Sequence, residues 1–253
     1  MAVDLIFVMI YEYTVGICGL LMIIPLFKKL RERKSAVTRY LVLCIFFLLA
    51  ATFFAGTSRV LRITGAWNLP NGYQLELLAF SVVSIACSNV FMLAFTLEVF
   101  NEGAFAGKNK GYMLLCSGIA VVYAVYALYF GLFTPNLSQD IWIYLIIFSV
   151  VIYIILIRSA FRLSHKLDDS VAKRGMQLIG VGPILLLGTF GSFMLDSIFG
   201  DNFTPFYFFG WAFALGFVFI TYLGYLQPEW FKRRISHTDA KPAVTPNADF
   251  EVE

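Results

Sequence analysis

The residues of this chain best suited to chemistry stand at helical spacing inside apolar surroundings. Thr189, Ser192 and Asp196 follow i, i+3, i+7. Gln74, Ser81, Ser84 and Ser88 fall within about an 80° arc at 100° per residue. Thr52, Arg59 and Arg62 share a face near Gly56, and Glu12 aligns with Gly16 and Gly19, which lets a neighbouring helix come close. Hydroxyls and charges in that pattern suit the binding of a small amphipathic or zwitterionic molecule, or the coupling of a proton or cation. The same serines and threonines also serve as ordinary bonds between helices, and Arg59 and Arg62 can extend to the headgroups. A carboxylate in hydrocarbon costs about 2.5–3.5 kcal/mol on insertion scales, so Glu12 and Asp196 call for interior, paired or ligand-facing positions. Glu76 points away from the serine stripe and reads as interfacial.

Aromatic residues cluster near these charges. Tyr11 and Tyr13 flank Glu12, Trp67 and Tyr73 bracket one connection, and "FYFFGW", ending at Trp211, opens the last apolar run. Such residues form interfacial belts; with Glu12, Arg59 and Asp196 they also suit the wall of a cleft. The candidate ligand-binding set is Glu12, Arg59, Ser81, Ser84, Ser88, Ser192, Asp196 and Trp211. Pro183, flanked by Gly180 and Gly182, interrupts backbone hydrogen bonding below the Asp196 stripe, where either a static kink or a hinge is expected.

Other chemistries are excluded by what the apolar runs lack. The histidines, His165 and His237, lie in a basic loop and in the tail, so haem ligands, a zinc site and a Ser-His-Asp triad cannot be assembled within the membrane. No apolar run holds the lysine that a retinal Schiff base requires. No cofactor and no enzymatic activity are expected. The four cysteines (Cys18, Cys44, Cys87 and Cys116) sit inside apolar runs and suggest neither a disulfide framework nor a metal pair.

The elements that must position these residues are membrane helices. Of 253 residues, 60% are hydrophobic and only 14% charged, with 27 Phe and a mean hydropathy of +0.79; soluble domains carry about 25% charge. Seven windows reach the ~20 residues a spanning helix needs: Leu5 to Phe27, Ala36 to Val60, Tyr73 to Phe100, Tyr112 to Phe133, Ile141 to Phe161, Met176 to Phe199 and Pro205 to Leu226. The expectation is an all-α integral membrane protein, a seven-helix bundle over 1–226 with an interfacial basic cap and an unfolded tail over 227–253.

Lysines and arginines gather in alternate connections: "KKLRERK", then Lys108 and Lys110, then Arg158 to Arg174, then "FKRR". All of them but Arg59 and Arg62 fall on one side, which places the N-terminus outside and the C-terminus in the cytoplasm. The net charge of +3 reflects this bias and attraction to anionic headgroups, and no nucleic-acid motif competes with it. Sequons at Asn136 and Asn202 lie on the outer side. "MAVD" lacks the features of a cleaved signal, so the first helix is expected to stay as an anchor.

At the end of the seventh run, "TYLGYLQPEWFKRR" resembles the exit of the N-terminal seven-helix sensor modules of bacterial and archaeal histidine kinases, where a Pro and aromatic pair with basic residues leads into the kinase. The N-out topology, short loops and aromatic richness are similar as well, while a short tail stands where the linker and kinase would follow. The resemblance implies a sensor of a small ligand or of membrane state. The expected function is a receptor-like sensor in the cell membrane whose partners are the bilayer, an unknown small ligand and a separate signalling protein. A small proton- or cation-coupled transporter or channel, or a structural subunit of a membrane complex, are the alternatives.

Overall fold

The computed structural model describes residues 2–66, 77–101, 103–133, 139–199 and 204–239. Gln74, Glu76, Trp67, Tyr73, both sequon asparagines and the tail from 240 lie outside the described residues. The regular elements among the described residues are all helices: α1 (Ala2–Arg33), α2 (Ala36–Thr64), α3 (Leu78–Phe100), α4 (Asn109–Phe133), α5 (Gln139–Ser164), α6 (Ser170–Phe199), α7 (Pro205–Leu226) and α8 (Glu229–Asp239). The first seven are long and apolar enough to cross a membrane, as befits a multi-pass membrane protein.

The helices run beyond the apolar windows because polar residues cap them. The Asp169 carboxylate accepts from the amides of Val171 (3.3 Å) and Ala172 (3.1 Å), so α6 starts at Ser170, several residues before its apolar run. Ser35 Oγ accepts from Thr38 N at 3.2 Å to open α2, and Thr204 does the same for α7 with Pro205 in the first turn. Gly65, at φ 72°, closes α2 in the left-handed region.

α1, α2, α3, α5, α6 and α7 pack in sequence around a ring that closes where α7 meets α1. α4 rests on α3 outside that ring and is tied to α5 by the Tyr123 hydroxyl, which donates to the Ile141 carbonyl at 2.9 Å. Close approach at two seams follows from glycine. A Cβ on Gly16 would lie 2.7 Å from Thr52 Oγ1, so α1 and α2 meet where the stripe of small residues was expected to bring them together. A Cβ on Gly175 would lie 2.8 Å from the Gly224 carbonyl, which puts α6 and α7 in backbone contact.

Two apolar clusters fill the ring. The larger joins Ile45, Phe95, Leu145, Tyr153 and Phe217 from α2, α3, α5 and α7. The smaller joins Val8, Val15, Ala55, Tyr207, Trp211 and Ala214, and surrounds Glu12 between α1, α2 and α7.

One element escaped the sequence reading. Residues 229–239, expected as an interfacial cap passing into an unfolded tail, form α8, which packs on α6. α7 ends at Gln227, whose φ of 47° and side-chain bond to the Val171 carbonyl (3.3 Å) turn the chain, and Pro228 then leads into the new helix.

Candidate functional site

Glu12 is fully buried at the centre of the smaller cluster. The phenol of Tyr207 on α7 donates to Glu12 Oε1, and Arg59 Nε on α2 stands 3.7 Å from the same oxygen. Arg59 is only 7% exposed, so it lies inside the bundle and does not extend to a headgroup. Glu12 Oε2 is buried with no hydrogen-bond partner among the described residues. One carboxylate thus joins three helices, through a charge on α2 and a neutral donor on α7.

The local sequence explains this convergence. Gly16 and Gly19 bring α1 onto α2 one and two turns from Glu12, so the carboxylate and the Arg59 side chain meet before either reaches an interface. Tyr207 lies in the first turn of α7, held there by the Thr204 cap. Trp211, one turn further, is 5% exposed and packs edge-on against Phe193 of α6 at 5.3 Å. Tyr11 donates to the Phe208 carbonyl at 2.9 Å, a second tie between α1 and α7. A charge pair out of water is stable only with good geometry and additional hydrogen bonds, and removing one partner of such a pair costs about 3–5 kcal/mol.

The other expected residues fall elsewhere. Ser81 Oγ donates to the Ala51 carbonyl (2.9 Å) and Ser88 Oγ to the Cys44 carbonyl (2.8 Å), so both hydroxyls bind α3 to α2. Ser84 and Ser192 are buried, and Thr189 donates to the Leu185 carbonyl of its own helix. Asp196 was grouped with Glu12 and Arg59 as the wall of a cleft. Instead its Oδ1 accepts from Thr204 N (2.7 Å) and Thr204 Oγ1 (2.6 Å), tying the end of α6 to the start of α7. The α7 cap offers two donors next to the last turn of α6, and they satisfy the carboxylate locally.

Of the expected hinge, α6 runs unbroken through Pro183. Gly180 faces Phe161 and Ala160 of α5, and Gly182 faces Thr221 and Phe217 of α7. Close approach therefore accounts for both glycines.

Two groups went unsingled in the sequence. Tyr207 reads as one more aromatic of an interfacial belt; its signal was a hydroxyl within the otherwise apolar first turn of α7. Asn89 sits one residue past Ser88, off the serine face, and anchors a neutral network: Asn89 Nδ2 donates to Ser149 Oγ (2.7 Å), Tyr153 donates to Asn89 Oδ1 (2.8 Å), and Ser149 donates to the Leu145 carbonyl (2.7 Å). At the basic end of the bundle, Lys29 Nζ donates to the Tyr225 carbonyl (3.1 Å) and Tyr225 OH bonds to Thr38 Oγ1 (2.6 Å), so α7 is also fastened to α1 and α2 where it leaves the ring.

No protein family, curated protein or solved structure matches this chain. The site is therefore read from its own chemistry.

Proposed function

We propose that the protein is a receptor-like sensor of the cell membrane, with its N-terminus outside, in which the Glu12–Arg59–Tyr207 cluster is the responsive site. The observation that carries this reading is a fully buried carboxylate that bridges α1, α2 and α7 and keeps one oxygen unfilled among the described residues. A small zwitterionic or amphipathic molecule offers an ammonium or hydroxyl donor to Glu12 Oε2 and an anionic group that competes with Glu12 for Arg59, beside the aromatic faces of Tyr207 and Trp211.

Because Glu12 has no exposed surface, such a ligand reaches it only by separating α7 from α1 and α2. Binding and helix displacement are then one event, and the ligand shifts a packing equilibrium by its differential affinity for the opened state. α7 carries the displacement to Tyr225 and Gln227 and on to α8, the surface a separate cytoplasmic signalling protein would read. The bias of Lys and Arg toward one end supports this orientation.

The test is thermal unfolding in bilayer nanodiscs against a panel of amino acids and betaines. A compound that shifts the midpoint of the wild type but not of Glu12→Gln supports the reading. Proton or cation flux in liposomes containing only this protein, lost in Glu12→Gln, would replace sensing with transport.

A further inference from the structure

A second feature stands apart from the Glu12 cluster. Where α4 leaves the ring, an apolar groove of about 1140 Å³ opens between α4 and α5, with Leu93 and Leu97 of α3 as its floor. Its walls are the Leu115, Ile119 and Val122 face of α4 and the Ile147, Val151 and Ile155 face of α5. Many of these residues face outward, Val122 being 71% and Ile147 58% exposed.

The two mouths of the groove differ in charge. At one, Tyr126 and Tyr144 are uncharged. At the other, Arg158, three residues after the groove-lining Ile155, continues the groove face of α5 past the apolar part, and Lys108 lies in the turn that leads directly into α4, four residues before the groove-lining Tyr112. Both are exposed, as are Lys110 and Arg162 beside them. The nearby carboxylate Glu98 is engaged in the α3–α4 connection, where its Oε2 accepts from Ala104 N at 2.8 Å.

We infer that this groove is a binding site for an anionic phospholipid, with acyl chain along α4 and α5 and phosphate between Lys108 and Arg158. The charge asymmetry selects this occupant: a chain alone needs only the apolar walls, whereas a basic mouth at the end of those walls matches a headgroup bearing net negative charge. A docked helix fits less well, since close packing of membrane helices uses small residues, and the α5 wall presents Ile147, Val151 and Ile155 in succession. The inference does not depend on the Glu12 site.

Native mass spectrometry of the delipidated full chain, titrated with phosphatidylglycerol or phosphatidylcholine, tests it. The wild type is expected to retain phosphatidylglycerol with a preference of about tenfold. Lys108→Gln/Arg158→Gln should abolish that preference, Gly118→Leu, which adds bulk to a groove-lining glycine, should weaken both lipids, and Lys28→Gln/Arg31→Gln on α1 should change nothing. Equal retention of the two lipids by the wild type, or equal loss from the α1 pair, overturns the proposal. So does a dimer that Gly118→Leu abolishes.

Discussion

Glu12 and Asn89 are buried to the same degree, at 0% and 1% exposure, and each joins two other side chains inside the ring. Around Asn89, the amide oxygen and the Ser149 and Tyr153 hydroxyls all find neutral partners at 2.7–2.8 Å. Around Glu12, a carboxyl group has the Arg59 guanidinium at 3.7 Å and one oxygen without a hydrogen-bond partner among the described residues. Equal burial therefore hides unequal consequences. A neutral, completed network holds helices together at little risk, since membrane hydrogen bonds contribute on average about 0.6 kcal/mol. A charged, incomplete one makes the surrounding packing sensitive to anything that completes or removes a charge.

Substitutions can break this contrast, beginning with the largest effect. Glu12→Gln removes one member of the buried pair with Arg59, and the loss of about 3–5 kcal/mol should lower the unfolding midpoint by roughly 10 °C or more in nanodiscs. Tyr207→Phe removes a donor to a charged acceptor, at a cost of about 1.5–3 kcal/mol, and should lower the midpoint by a smaller step in the same assay. Asn89→Leu strands the Tyr153 and Ser149 hydroxyls, which have local alternatives, and should cost about 1 kcal/mol by denaturant titration. If Asn89→Leu proved as damaging as Glu12→Gln, the contrast between the two networks would collapse.

The seven spanning helices were legible because length and hydropathy alone define them. α8 was not, since an 11-residue segment as polar as "EWFKRRISHTD" shows its helix only through the turn at Gln227 and its packing on α6. Within the site, Glu12 and Trp211 could be read from cost and clustering. Whether Arg59 pointed inward depended on how closely α1 approached, which Gly16 signals but does not by itself decide. Asp196 was misread for a related reason: helical periodicity gives the face of a residue, and a capping threonine in the next connection supplied its partners instead.

The smallest effects belong to the surface and the seams. Ser81→Ala and Ser88→Ala should each cost about 0.6 kcal/mol, since each breaks one bond to an α2 carbonyl. In α8, the Lys232 ammonium at 2.9 Å holds the exposed Glu229 carboxyl below its usual range. That interaction contributes above the ordinary glutamate pKa and is lost as pH falls through the depressed value, so acid should fray the first turn of α8 in amide exchange while the global midpoint in Glu229→Gln stays unchanged.

The central claim is that Glu12 and Arg59 act as one charged unit whose balance sets the packing of α1, α2 and α7. A double-mutant cycle of unfolding midpoints in nanodiscs tests it most directly, using Glu12→Gln, Arg59→Gln and the pair together. The prediction is that the double variant is at least as stable as either single one, because both members of the pair are then removed together. Losses that simply add would contradict it.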